Sequence, residues 1–291
     1  MNQSLYALPA GLLVLLAACG GGDNNANSPT GPRPKPAPPV SGPALYKPCE
    51  DPGSEGSGLP GYTASPGGIW RGTMTDEVRK ATSGFSAYVG EDGRFWSEAA
   101  QFGRFVGNLD VADTAFSGTG IAYSRGVPWS DGSHFSELSV SGKVTERDTL
   151  YGTFSQTSGE IGCFDLSYDR DLYELNVTIA DLEGTWSTVD GWGFIWQMTI
   201  GADGVFVQDA PYDCEFELPG SLTVIDERFN LFALHREAPG CDSGARPLSG
   251  LVYLYPIPAV GPKEADGLVF AVYNDGQAYA MHYTRSVVAS D

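Results

Sequence analysis

The clearest pattern along this chain is an alternation of apolar and polar positions. In Phe194-Ile195-Trp196-Gln197-Met198-Thr199-Ile200, one face carries Phe194, Trp196, Met198 and Ile200, and the other carries Gln197 and Thr199. Phe85, Ala87 and Val89 alternate with Ser86 and Tyr88 in the same manner. Successive side chains of a strand point to opposite faces, so a period of two predicts strands with one buried face. No long segment places apolar residues at the helical spacing. Turn signals punctuate the strands at Glu91-Asp92-Gly93, Ser130-Asp131-Gly132, Ala202-Asp203-Gly204 and Asn274-Asp275-Gly276. Asp-Gly supplies the positive φ of a tight hairpin. The chain reads as an all-β antiparallel meander.

An internal repeat divides that meander. Gly68-Ile69-Trp70 recurs as Gly184-Thr185-Trp186, Val89-Gly90-Glu91-Asp92-Gly93-Arg94-Phe95 as Ile200-Gly201-Ala202-Asp203-Gly204-Val205-Phe206, and Tyr168-Asp169-Arg170 as Tyr283-Thr284-Arg285. The three marks keep their order in both copies. Strands are predicted near 68–75, 84–89, 93–98, 103–111, 115–125, 134–145, 149–157 and 161–169 in the first copy. The second copy has them near 182–189, 193–200, 204–209, 213–224, 228–236, 246–255, 267–273 and 277–285. About eight antiparallel strands joined in sequence close into an up-and-down barrel, which removes both exposed edges. The expected fold is two such barrels in tandem, over residues 68–175 and 176–291. Closure sets the first strand of each barrel beside the last, with the guanidinium of Arg170 or Arg285 facing the indole of Trp70 or Trp186.

Those residues resemble the calycins. Lipocalins carry a Gly-x-Trp on the first strand and an Arg near the end of the barrel that packs across the Trp. Gly68 and Trp70 with Arg170, and Gly184 and Trp186 with Arg285, match that pattern. The central Thr-Asp-Tyr motif of lipocalins and the helix before their last strand are absent, so the resemblance implies the architecture. The large inward candidates Phe85, Trp96, Phe105, Trp196, Phe206 and Phe270 predict barrel interiors filled by side chains.

Ahead of the barrels, Leu12-Leu13-Val14-Leu15-Leu16 ends in Ala17-Ala18-Cys19, followed by Gly20-Gly21-Gly22. An apolar run too short to span a bilayer and closed by small residues reads as a cleaved export signal over 1–18. Leu16-Ala17-Ala18-Cys19 resembles the lipobox of bacterial lipoproteins, which implies that Cys19 is acylated and becomes the mature N-terminus. Gly20 stands where a retention signal would place Asp, and by resemblance to enterobacterial sorting this implies the outer membrane. Residues 19–67 read as a disordered tether. Seven prolines between Pro29 and Pro43 favour extended polyproline II, and a second soft stretch runs from Asp51 to Gly68. A lipobox, a Pro-rich tether and tandem barrels together look like a broad set of proteobacterial envelope lipoproteins.

The 38 Gly and 20 Pro are too many for a helical protein, whereas 14 Phe, 14 Tyr and 6 Trp suit strands. A formal charge of −19 repels phosphate backbones and anionic lipid surfaces, which excludes nucleic acid as a partner. The acidic residues Asp165, Asp169, Asp171, Glu174, Asp181 and Glu183 gather at the barrel junction and read as a solvated linker, the alternative being a cation or basic-partner site. Five cysteines less the acylated Cys19 leave an even number, as an oxidising compartment requires. Cys214 and Cys241 flank a hairpin turn near Asp226-Glu227 at almost equal distances, which predicts one disulfide. By elimination Cys49 pairs with Cys163. The cysteine spacing is wrong for zinc, and no metal is expected.

No catalytic constellation emerges. His134, His235 and His282 fall on separate strands. Ser133, His134 and Asp131 are too close in sequence to aim at one another as a triad. The expectation is therefore a lipid-anchored envelope protein without enzymatic activity or cofactor, acting as an interaction or structural module. It contacts the membrane through its lipid anchor only and has a protein partner. The alternative is a carrier of a small apolar ligand in a barrel lumen.

Overall fold

Sixteen strands form from the described residues, which in this computed structural model are 46–49, 63–189, 193–209, 219–237, 247–257 and 265–285. The first barrel comprises β1 (Gly68–Asp76), β2 (Ala81–Val89), β3 (Arg94–Ala99), β4 (Gly103–Ala112), β5 (Ala115–Ser124), β6 (Phe135–Thr145), β7 (Thr149–Gln156) and β8 (Ile161–Tyr168). A single helical turn, α1 (Arg170–Tyr173), and a 3-10 turn (Ile179–Leu182) lead into the second. That barrel comprises β9 (Gly184–Val189), β10 (Ile195–Ile200), β11 (Val205–Asp209), β12 (Gly220–Val224), β13 (Phe232–Arg236), β14 (Leu248–Ile257), β15 (Ala265–Tyr273) and β16 (Ala278–Arg285). Within each barrel every strand pairs antiparallel with the next, and the barrel closes through its first and last strands. The start predicted for β12, near residue 213, lies outside the described residues.

Pairs of phenylalanine and glycine explain how so narrow a barrel fills. An eight-stranded barrel has room inside only for side chains. In barrel 1, Phe85 stands opposite Gly72, Phe95 opposite Gly107, Phe116 opposite Gly142, Phe154 opposite Gly162 and Phe164 opposite Gly152. The rings of Phe116, Phe154 and Phe164 lie directly over the bare backbone of Gly142, Gly162 and Gly152, while at Gly72 and Gly107 the backbone of the neighbouring strand takes the space. A Cβ at Gly162 would lie 1.9 Å from the Thr75 carbonyl oxygen and 2.6 Å from the Phe154 ring, so only glycine fits. Phe206 repeats the arrangement over Gly220 in barrel 2. Part of the high glycine content is thus a packing requirement.

The apolar residues gather in three cores. One fills barrel 1, around Trp70, Phe85, Phe105, Phe116, Phe154 and Leu166. A second fills barrel 2, around Trp186, Met198, Phe206, Phe232, Phe270 and Tyr283. The third lies between the barrels and takes residues from the outer faces of both, among them Ile69, Tyr88, Trp96 and Val106 with Leu251, Tyr253, Val269 and Ala271. Trp96, expected to point inward, belongs to this seam. On β3 the inward positions are Phe95 and Ser97, which line the lumen, so Trp96 faces out and is covered by the other barrel. Trp196 is partly buried at the barrel 2 core, and Phe85, Phe105, Phe206 and Phe270 are inside their barrels.

Away from the seam the outer face of barrel 1 is largely polar, with Ile121, Phe135 and Ile161 as exposed large apolar residues on its strands. Ser117, Thr119, Ser139, Ser141, Thr153 and Ser155 on β5–β7 are all exposed. An apolar interior with a polar exterior is the reverse of a membrane-spanning barrel. Three of the four Asp-Gly turns place glycine at positive φ, at Gly93, Gly132 and Gly204. The fourth is built differently. Asn274 Oδ1 accepts from the amides of Gly276 and Gln277 and shapes that turn from its own side chain.

Candidate functional site

The lumen of barrel 1 is the natural place to look for a ligand. Its walls are apolar apart from Ser97, and the space left inside is about 40 Å³. An engineered apolar cavity that accepts benzene is about 150 Å³, so no organic ligand fits here without displacing a side chain.

Both mouths of this lumen are also sealed. At one end, residues 63–67 cross the opening. Ala64 is 1% exposed, and its amide donates to the Asp113 carbonyl at 2.7 Å. Ser65 Oγ donates to Glu91, and the Ser65 amide donates to Glu146 Oε2 at 3.4 Å. Pro66 offers its carbonyl to Trp70 Nε1 at 3.1 Å. At the other end, Arg79 lies over the Trp129 ring at 5.2 Å, between the buried carboxylates of Asp76 and Glu160. Glu160 accepts from the Ser130 amide and Oγ, both at 2.7 Å, and from Ser158 Oγ at 2.5 Å. Burial pushes the Glu160 carboxyl up, but the hydroxyls of Ser158 and Ser130 outweigh it and hold the group below its ordinary value. A charged cluster with its hydrogen bonds satisfied in this way closes a barrel end; it offers no free acid or base.

The seam between the barrels is the other extended feature. The rings of Tyr88 and Trp96 stack at 5.7 Å, those of Tyr88 and Tyr253 meet at 4.8 Å, and Tyr253 Oη donates to Tyr88 Oη at 3.2 Å. Arg104 Nη1 donates to the Ala278 carbonyl at 2.8 Å, and Tyr123 Oη to the Asn274 carbonyl at 2.7 Å. Burial, then the nearby Asp275 and Tyr273, pushes the Tyr123 phenol up to about 12. Asn230 is fully buried and spends its side-chain amide on the Leu172 and Leu254 carbonyls, while its amide donates to Tyr173 O. Tyr173 of α1 stacks on Phe229 at 4.6 Å, and Arg147 covers that ring at 5.1 Å. Directional bonds at several points fix the two barrels in one arrangement.

The residues singled out in the sequence are placed as follows. Cys49 and Cys163 form a disulfide. Cys19, Cys214 and Cys241 lie outside the described residues. Arg285 sits over Trp186 at 4.5 Å, opposite it in the ladder, and donates to the carbonyls of Glu183 and Asp181. Its Nε is 3.3 Å from Asp266 Oδ2, a charge contact without hydrogen-bond alignment. Barrel 1 is different. The residue opposite Trp70 is Tyr168, whose ring meets the indole edge-on at 5.3 Å, while Arg170 is exposed at the start of α1. Closure by Arg170 is therefore corrected to closure by Tyr168, because β8 ends before the chain reaches Arg170.

Part of the stretch read as a tether is also fixed to barrel 1. Besides residues 63–67, the segment 46–49 is held by Tyr46 Oη and the Cys49 amide donating to Glu77, and by the Lys47 amide donating to Thr82 Oγ1. The junction acids are dispersed. Asp169 pairs with Arg71 at 2.8 Å, Glu174 lies 3.9 Å from Arg147, and Asp165, Asp171, Asp181 and Glu183 are exposed. Among the described residues no group of three or more His, Cys, Asp or Glu is placed to hold a metal. An open cleft of about 510 Å³ beside the junction is lined by Asn176, Asp181, Asp266 and Arg285, with Arg285 committed to the contacts above. Ser133 Oγ donates to Asp131 at 2.6 Å, and His134 Nδ1 pairs with Ser124 Oγ at 2.9 Å, so the three residues do not form a relay.

Sequence reasoning missed the seam, although a signal was present. Leu251-Val252-Tyr253-Leu254-Tyr255 and Leu268-Val269-Phe270-Ala271-Val272-Tyr273 are unbroken apolar runs, and Ala87-Tyr88-Val89 is a short one. A strand buried on both faces reads this way.

No family model, curated protein or solved structure matches this chain. Among the described residues no helix is long and apolar enough to cross a membrane.

Proposed function

We propose that this protein is a lipid-anchored component of a bacterial cell envelope that acts as a non-enzymatic interaction or structural module. The observation that carries the reading is the interior of barrel 1, filled by phenylalanine rings over glycines and closed at both mouths. Binding then falls to the outer surface, and the bonded seam supports a role for both barrels as one rigid surface. The lipobox-like Leu16-Ala17-Ala18-Cys19 supports the anchor, the oxidised Cys49–Cys163 pair is in keeping with an exported protein, and the net charge of −19 supports partners other than nucleic acid.

Native mass spectrometry tests the module against the carrier. The chain from Gly42 to Asp291, one compact unit, is purified from its own periplasm without detergent and compared with its denatured mass. Equal masses are expected. A discrete excess would mean a bound ligand and would replace this reading with that of a carrier. The anchor is tested separately: Cys19→Ala in the full chain should abolish palmitate labelling and release the protein from the membrane fraction.

A further inference from the structure

The pair of phenols in the seam has a geometry with a chemical consequence beyond holding the barrels together. Tyr88 and Tyr253 come from different barrels, their ring centroids are 4.8 Å apart at an interplanar angle of 33°, and their hydroxyls are joined by a hydrogen bond of 3.2 Å. Dityrosine is a biaryl in which the new carbon–carbon bond lies ortho to both hydroxyls, so the product holds its two hydroxyls side by side. Two tyrosines whose hydroxyls already touch across near-contacting rings are arranged as that product requires. We propose that Tyr88 and Tyr253 are a site of oxidative cross-linking, at which one-electron oxidants such as peroxide-derived radicals convert the pair into a covalent staple between the barrels.

The step balances. Each phenol gives one electron to the oxidant and one proton to solvent, leaving two phenoxyl radicals. Their ortho carbons join, and each ring then moves its ortho hydrogen to its oxygen, which restores aromaticity and both hydroxyls. One carbon–carbon bond forms, two ortho carbon–hydrogen bonds break, and the chain ends two hydrogen atoms lighter. The oxidant has taken two electrons. It need not enter the seam: the half-buried Tyr255 lies 6.2 Å from Tyr253 and 6.3 Å from the exposed His282, ring to ring, which offers a short hopping route from the surface. Burial keeps both phenols protonated, so neither loses its hydrogen before oxidation.

A second tyrosine pair serves as an internal control. Tyr168 and Tyr173 also meet, at 5.9 Å, but edge-on, and their hydroxyls donate to different carboxylates, Glu174 and Glu91. Neither hydroxyl bonds to the other, so this pair lacks the direct hydroxyl contact that joins Tyr88 and Tyr253.

The test is photo-oxidation of the dilute Gly42–Asp291 unit with ruthenium tris-bipyridyl and persulfate, followed by proteolysis and peptide mass mapping. The expected result is dityrosine fluorescence and one dominant cross-link within a single chain, joining the Tyr88 and Tyr253 peptides. That link should be lost in Tyr253→Phe and in protein unfolded by urea before illumination. A map dominated by Tyr168–Tyr173, by links between chains or by no dityrosine at all overturns the proposal. The native map decides the matter by itself if the variant fails to fold.

Discussion

If phenylalanine rings fill barrel 1, removing one should open a cavity of predictable cost and capacity. Phe154 is 5% exposed, faces Gly162 across the ladder and packs 6.3 Å from Phe105, ring to ring. In Phe154→Ala the vacated volume is roughly 100 Å³, which at about 24 cal/mol per Å³ accounts for about 2.4 kcal/mol, with the lost transfer energy of the ring adding to it. The expected loss is about 3–5 kcal/mol, tolerable in a fold of ordinary stability. Joined to the existing 40 Å³, the new space approaches the size that binds benzene. Urea unfolding should therefore show a lower midpoint at unchanged slope, and benzene should raise the melting temperature of the variant and not of the parent. A loss below about 1 kcal/mol would refute a packed lumen. Stabilisation of the parent by benzene would do the same, and would bring back the carrier.

Three further outcomes follow from the contacts. Trp96→Ala, at the seam, should cost about 3–5 kcal/mol and split the calorimetric transition into two as the barrels lose their coupling; a single transition would argue against the seam as the joint. Reduction of Cys49–Cys163 frees a loop spanning 114 residues, for which chain entropy sets a loss of about 4–5 kcal/mol, seen as a lower melting temperature with dithiothreitol. Glu77 is held at about 2, below its ordinary 4.5, chiefly by the Lys80 ammonium, then by the Tyr46 hydroxyl and the Cys49 amide. A depressed carboxyl contributes in full above its unfolded value and loses that contribution as pH falls through the folded one. Protection of the Cys49 amide from hydrogen exchange should thus persist down to about pH 4 and fade towards pH 2, and Glu77→Gln should remove that dependence.

The barrels were legible because strand order, turns and closure are local or nearest-neighbour properties. Alternation around Phe85 and Met198 marks strands, Asp-Gly marks hairpins, and a meander of eight strands closes on itself with no further information. The repeated Gly-x-Trp located both first strands, and each indole donates to a carbonyl four residues earlier, at Pro66 and Leu182. The site was less legible. Arg170 and Arg285 look equivalent in sequence, but which residue meets the tryptophan depends on where the last strand ends. That point is set by α1, where Asp169 caps the Leu172 amide and turns the chain away.

The amino-acid sequence by itself determined the strands, the barrels and their number, because each depends on side-chain periodicity and on turns only a few residues long. Tertiary structure alone decided that Tyr88 and Trp96 face outward into a shared core, that residues 63–67 stopper a lumen, and that Tyr168 takes the place expected of Arg170. Those outcomes depend on which surfaces meet across separations from 26 residues, between Ser65 and Glu91, to 165, between Tyr88 and Tyr253, and a strand's periodicity says which face is apolar without saying what will cover it.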